Sequence, residues 1–139
     1  MIKRISHIGI VVGDMDAAIE LWTKTFGLKK VREMEVAVEG IRSVFLSANG
    51  KPDEMAIELM LPLNKSDMNN AVSRRLAKTG GGFYHLAVYV DNVESSGKKL
   101  KAKGLHTIDR PAATGMSVGR WLTHPKETSG VMVEGMQIE

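Results

Sequence analysis

Along the chain, segments with an apolar residue at every second position alternate with segments where apolar residues recur every third or fourth. Ile5–Val12 and Phe83–Val90 read as half-buried strands, since successive strand side chains point to opposite faces. After the first, Met15, Ala18, Ile19, Trp22 and Phe26 fall at helical spacing, and Asp14 is placed to cap the first turn. After the second, Val93 and Leu100 mark a more basic helix that ends near Gly104. Lys29–Ala37 and Ile41–Ala48 predict a hairpin turning at Glu39 and Gly40. Leu105–Asp109 and Ser117–Thr123 predict two more strands, flanking the loop Arg110–Met116. Met55–Met60 and Val131–Met136 are apolar strands, each holding a glutamate near its middle. Between Leu63 and Gly82 the pattern predicts a helix over Ser66–Lys78, capped by Ser66 or Asp67 and ended by Gly80, Gly81 and Gly82.

Laid over one another, the two halves of this pattern coincide. His7 and His85 take the same place in the first strand of each half, and Glu58 and Glu134 the same place in the last. Histidine and glutamate are 51 residues apart in the first half and 49 in the second. Each half reads strand–helix–strand–strand–strand. The expected fold is therefore α+β, with two tandem βαβββ modules forming a curved mixed sheet around a metal pocket. The modules run from about 3 to 63 and from about 82 to 138, joined by a linker helix at about 64–81. Halves of roughly 60 residues are too short to bury a core alone, so residues 1–139 are expected to form a single domain.

Composition narrows the chemistry. Hydrophobic residues at 43% and charged residues at 25% are ordinary for a globular protein and exclude wholesale disorder. The chain has no cysteine, which removes disulfides and thiolate ligands and leaves nitrogen and oxygen donors. The net charge of +3 is mild and aromatics are only 5%, so a nucleic-acid partner is not expected, whereas an anionic small molecule is compatible. There is no signal-peptide core and no apolar run of about 18 residues, so a membrane role is not expected and the cytoplasm is.

The repeat turns the histidines and glutamates into a site. On its strand His7 shares a face with Gly9 and Val11, and Glu58 shares one with Ala56 and Met60. A lone histidine in such a strand is more often a hydrogen-bonded core residue. Two glutamates in otherwise apolar strands are another matter, because burying an unpaired carboxylate costs several kcal/mol and a cation would neutralise both. His7, Glu58, His85 and Glu134 are the expected ligands of one divalent metal ion. Their two nitrogens and two oxygens, with two waters, suit cobalt, nickel, manganese or zinc. Other features read as structural. His106 is expected at the surface and His124 in a turn before Pro125, and the lysines from Lys98 to Lys103 form a solvated helix face. Neither Gly80–Gly82 nor Gly115–Gly119 has the ending of a phosphate loop.

With these residues in place the chain resembles the vicinal oxygen chelate superfamily, which includes glyoxalase I, extradiol dioxygenases and bleomycin-resistance proteins. Within it the segments Ile57–Leu63, Tyr84–Val93 and His124–Glu134 are most similar to the methylmalonyl-CoA epimerase family. The resemblance implies a metal-dependent epimerase that interconverts methylmalonyl-CoA stereoisomers through a metal-stabilised enolate, with Glu134 as both ligand and base. Some family members carry a second carboxylate three residues after the hairpin glycine, where this chain has Ser43, and Glu39 stands just before that glycine. Ser43 and Glu39 are the weaker catalytic candidates. Lys126 or Arg120, or else Arg110 or the basic second helix, is expected to meet the phosphates of an acyl thioester substrate, and a homodimer is expected. The alternatives are a glyoxalase I-type lactoylglutathione lyase with the same four ligands, and a non-enzymatic protein that binds an antibiotic or another small molecule.

Overall fold

A computed structural model of the chain describes residues 1–113 and 115–138, so that Thr114 of the predicted loop Arg110–Met116 lies outside the described residues. Among them are eight strands and three α-helices. In order these are β1 (Ile2–Val11), α1 (Met15–Glu20), β2 (Lys29–Val36), β3 (Ile41–Ser47), β4 (Ala56–Pro62) and α2 (Ala71–Thr79), then β5 (Gly82–Val90), α3 (Val93–Ala102), β6 (Thr107–Arg110), β7 (Arg120–Thr123) and β8 (Met132–Gln137). The fold is α+β, with each half running βαβββ. Two compact units divide the chain: Ile8–Tyr84, and Met1–His7 together with His85–Glu139. The division falls inside β1, whose residues up to His7 belong with the second half of the sequence.

In the unit Ile8–Tyr84 the strand order is β2-β3-β4-β1. β2 and β3 pair antiparallel from Lys29 opposite Ser47 to Val36 opposite Ile41, with an irregularity between Lys30 and Arg32. The chain reverses through a 3-10 turn at Ala37–Glu39, and Gly40 takes the left-handed conformation (φ 64°) that closes it. Antiparallel pairing of β3 with β4 sets Phe45 opposite Glu58 and Ser43 opposite Met60. The period-two pattern then separates two faces. Val44, Leu46 and Leu59 pack with Met15 against Ala18, Ile19 and Trp22 of the first helical segment. Val11, Ile41 and Met60 pack with Val72 and Leu76 of α2 on the face that also carries Ser43 and Glu58.

Two helices differ from the sequence expectation. Asp14 caps α1 as predicted, accepting from the Ala17 amide at 3.0 Å, but the regular helix ends at Glu20 and widens into a π-helical segment, Leu21–Thr25. There the Phe26 amide donates to the Leu21 carbonyl, five residues back, and the Thr23 hydroxyl donates to the Ile19 carbonyl. The linker helix begins at Ala71, not Ser66. Asn64 and Asp67 spend their side chains on turns of their own, accepting from the Ser66 and Asn69 amides, so the helix starts only where Asn70 accepts from Val72. Asn70 is held there by donating from Nδ2 to the carbonyls of Glu39 and Gly40, contacts that no local pattern reveals.

In the other unit the strand order is β1-β5-β8-β7-β6. β5 and β8 run parallel, with Ala87 opposite Glu134, while β8–β7 and β7–β6 are antiparallel, so the pairing is mixed. Val88, Val90, Val93 and Trp121 form the core, packed against Leu86, Leu100, Val118 and Val133. Because β5 and β8 turn their even- and odd-numbered core residues toward α3, His85, Ala87, Glu134 and Met136 share the opposite face. α3 is capped by Asn92, and the Leu105 amide closes its end on the Leu100 carbonyl.

Candidate metal centre

His7 stands where β1 meets β5, and His85 is the fourth residue of β5. Both rings are buried, at 5% and 4% exposed. Their Nε2 atoms are 3.1 Å apart, with the ring planes at 71°. The Ser6 hydroxyl lies 3.0 Å from His7 Nδ1. A nitrogen, a second nitrogen and a carboxylate oxygen from His7, His85 and Glu134 all lie within 4.8 Å of one another. Among the described residues this is the group that can hold a metal ion.

The donor set fits a divalent ion on its own geometry. Two nitrogens each about 2.0–2.1 Å from one ion and at right angles stand about 3 Å apart, close to the spacing observed here. Ligation through both Nε2 atoms requires the ring protons to sit on Nδ1, and the Ser6 hydroxyl is the acceptor such a proton needs on His7. These three buried residues would hold such an ion and leave its remaining positions open.

Glu134 is delivered by β8 and steadied from β7. Arg120 Nη1 donates to Glu134 Oε2 at 3.1 Å, and Arg120 Nε donates to the Pro111 carbonyl at 3.1 Å. The two side chains are only 8% and 9% exposed, so this is a buried ion pair. One residue along, the Trp121 indole lies flat against Gly135, where any Cβ would fall 2.1 Å from the ring. Trp121 Nε1 donates to the Ser96 hydroxyl at 2.9 Å, which ties α3 to β7, the strand that carries Arg120. The glycine at position 135 is thus a packing requirement next door to the site.

The remaining sequence candidates are placed as follows. Glu58 lies in the unit Ile8–Tyr84, buried, where the Ser43 hydroxyl donates to its Oε2 at 2.7 Å. Ser43 itself is fully buried. Glu39 closes the β2–β3 turn, and its carbonyl accepts from Asn70. Lys126 is exposed, in a 3-10 turn capped by His124, whose Nδ1 accepts from the Lys126 amide at 3.1 Å. Arg120 is turned inward to Glu134. His106 is exposed and lies 2.8 Å from Glu127, and that contact holds the Glu127 carboxyl below its usual range. Reasoning from the sequence missed the Arg120–Glu134 pair and the Trp121–Gly135 contact. A glycine inside the strand Val131–Met136 was the one available signal for the second.

Known proteins are similar to this chain in sequence and fold. Residues 6–120 match the family model described as the glyoxalase/bleomycin resistance protein/dioxygenase superfamily. A mitochondrial methylmalonyl-CoA epimerase of Dictyostelium discoideum is 26% identical over 136 residues, covering 96% of this chain and 77% of its own length. A solved structure of Streptomyces coelicolor methylmalonyl-CoA epimerase in complex with 2-nitronate-propionyl-CoA superposes with a TM-score of 0.84 at 27% identity, covering 99% of this chain and 98% of that one. A probable chloroplastic lactoylglutathione lyase of Arabidopsis thaliana is 30% identical over 104 residues, 73% of this chain but 27% of the lyase. Among the described residues no helix is long and apolar enough to cross a membrane.

Proposed function

The chain belongs to the glyoxalase/bleomycin resistance protein/dioxygenase superfamily, and from that premise we propose that it is an isomerase that epimerises an acyl-CoA thioester of the methylmalonyl-CoA type. The observation that carries the reading is the convergence of three buried donors, His7, His85 and Glu134, in a chain that methylmalonyl-CoA epimerases of Dictyostelium and Streptomyces match over 96% and 99% of its length. Epimerisation removes a proton from the carbon between a thioester and a carboxylate and returns one to the opposite face.

A divalent ion held by these residues would act as a Lewis acid, drawing the developing enolate charge onto the substrate oxygens. His7 and His85 would contribute nitrogen donors, oriented by burial and, for His7, by Ser6. Glu134 is the proposed base, and Arg120 keeps its carboxylate in one orientation. The 2-nitronate group bound by the Streptomyces enzyme is a planar delocalised anion, the shape and charge of an enolate, which favours this route. By the repeat, Glu58 is the proposed fourth ligand. Ser43 and Glu39 remain the proposed sources of the returning proton. A Ser43→Ala protein that still exchanges the proton but no longer inverts the centre would assign that role to Ser43.

The test is proton–deuterium exchange at C2 of methylmalonyl-CoA in D₂O, run with cobalt-loaded and chelator-treated protein. Fast exchange that depends on the metal is the expected result. Metal binding without exchange would overturn the substrate assignment, and the Arabidopsis relative makes glutathione hemithioacetals the next substrates to try in the same assay.

A further inference from the structure

The antiparallel registers put one residue of each half in an equivalent position. Glu134 lies opposite Leu122 on β7, and Glu58 lies opposite Phe45 on β3. Two residues before Leu122 is Arg120, and two before Phe45 is Ser43. Each of these donates to Oε2 of its own glutamate, Arg120 at 3.1 Å and Ser43 at 2.7 Å. The donor position is therefore repeated with the carboxylate it serves, although one half uses a guanidinium and the other a hydroxyl.

We propose that Arg120 is a positioning residue for Glu134, acting through two points of attachment. Nη1 holds Oε2, and Nε holds the Pro111 carbonyl at the start of the segment between β6 and β7. A planar guanidinium fixes both bonds at once, which a lysine ammonium on its flexible stem does not. With Oε2 occupied, the carboxylate has one orientation in which to meet the histidines. In this role Arg120 acts through Glu134. Its role is to set the direction of a ligand, as hydrogen-bond partners behind metal ligands commonly do. The inference rests on the reading that His7, His85 and Glu134 hold a divalent ion.

The experiment uses the full chain with cobalt as the probe. Cobalt affinity is measured by equilibrium dialysis, the visible spectrum of the bound ion is recorded, and kcat and KM for C2 exchange are determined for wild type, Arg120→Met and Arg120→Lys. Arg120→Met is expected to weaken cobalt binding by about 10–100-fold, to change the cobalt spectrum, and to lower kcat with little change in KM. Arg120→Lys restores charge but not both attachments, so an intermediate affinity and spectrum are expected. A folded Arg120→Met protein with the wild-type affinity and spectrum would overturn the proposal. So would a rise in KM alone, which would make Arg120 a substrate contact. If Arg120→Met does not fold, Arg120→Lys decides: a wild-type spectrum and affinity in that protein overturn the two-point role. Should the wild type bind cobalt but exchange no proton, the epimerase reading falls while the cobalt titrations still judge Arg120.

Discussion

The two halves of the repeat place a glutamate at the same point of their last strand and surround it differently. In the unit Ile8–Tyr84, Glu58 accepts from the neutral Ser43, and the next residue, Leu59, is fully buried opposite Val44. In the other unit Glu134 is paired with the charged Arg120, and the next residue, Gly135, is vacant of side chain so that Trp121 can lie over it. Large and small have exchanged places across the strand pair: Val44 with Leu59 in one half, Trp121 with Gly135 in the other. A large residue in one half stands against a small one in the other, the kind of exchange a core tolerates when its overall packing is kept. The carboxylates themselves show what duplication preserves. The position and the donor to Oε2 remain, and the charge of the donor is free to change.

That contrast can be broken by experiment. The largest expected effect is in metal-free protein, where Glu134→Gln strands the buried Arg120 charge and should lower stability by about 3–5 kcal/mol. Glu58→Gln weakens the hydrogen bond from the neutral Ser43 hydroxyl and should change stability by about 1 kcal/mol. Urea denaturation after chelation measures both, and equal losses would show that the two carboxylates are held alike.

The exchanged shapes come next. Leu59→Ala should cost about 2–5 kcal/mol through the cavity it opens. Gly135→Ala acts in the opposite sense, forcing a methyl into the Trp121 ring, and should cost about 1–3 kcal/mol. A Gly135→Ala protein as stable as wild type would mean that Trp121 moves aside without loss.

Helix caps sharpen the comparison at smaller scale. Asn92 caps α3 through the Ser95 amide, a local contact, so Asn92→Ala should cost about 1 kcal/mol. Asn70 caps α2 and also donates to the Glu39 and Gly40 carbonyls, so Asn70→Ala should cost about 2 kcal/mol. Thermal unfolding of the two variants side by side is the check, and the reverse order would assign Asn70 a purely local role.

The smallest effect is one of pH. Hydrogen bonds from the Asn49 side chain and amide lower the half-buried Glu54 carboxyl from about 4.5 to about 2. A carboxyl lowered in the folded state stabilises it above the unfolded value, and that contribution is lost as pH falls from about 4.5 through about 2. Glu54→Gln should flatten the stability profile in that window, as measured by the urea midpoint. An unchanged slope in the variant would mean that these bonds do not persist in solution.

Much of the fold is legible in the sequence because its signals are short-range. Alternation marks the strands, Asp14 announces α1, and the glycines at 40 and 104 end their elements. The errors fall where a distant group intervenes. α2 starts later than its sequence pattern predicts because Asn64 and Asp67 close turns that compete with the helix, while Asn70 is fastened to a turn 30 residues away. The widening of α1 at Leu21–Thr25 leaves the apolar spacing that predicts a regular helix unchanged. In the site, His7, His85 and Glu134 are visible from sequence because the duplication displays them twice. Arg120 is not, because an arginine flanking a glycine-containing loop carries no mark of being buried.

By itself the sequence determined the repeat, the alternation that turns His85 and Glu134 to one face, and the absence of any thiolate ligand, since these depend on residue identity and strand periodicity alone. Only the tertiary structure decided that His7 groups with the second half of the chain, that two Nε2 atoms stand 3.1 Å apart, and that Arg120 closes on Glu134. Those outcomes depend on strand pairing and register, in which residues far apart in sequence are brought within a hydrogen bond, and no local pattern encodes which partner each will meet.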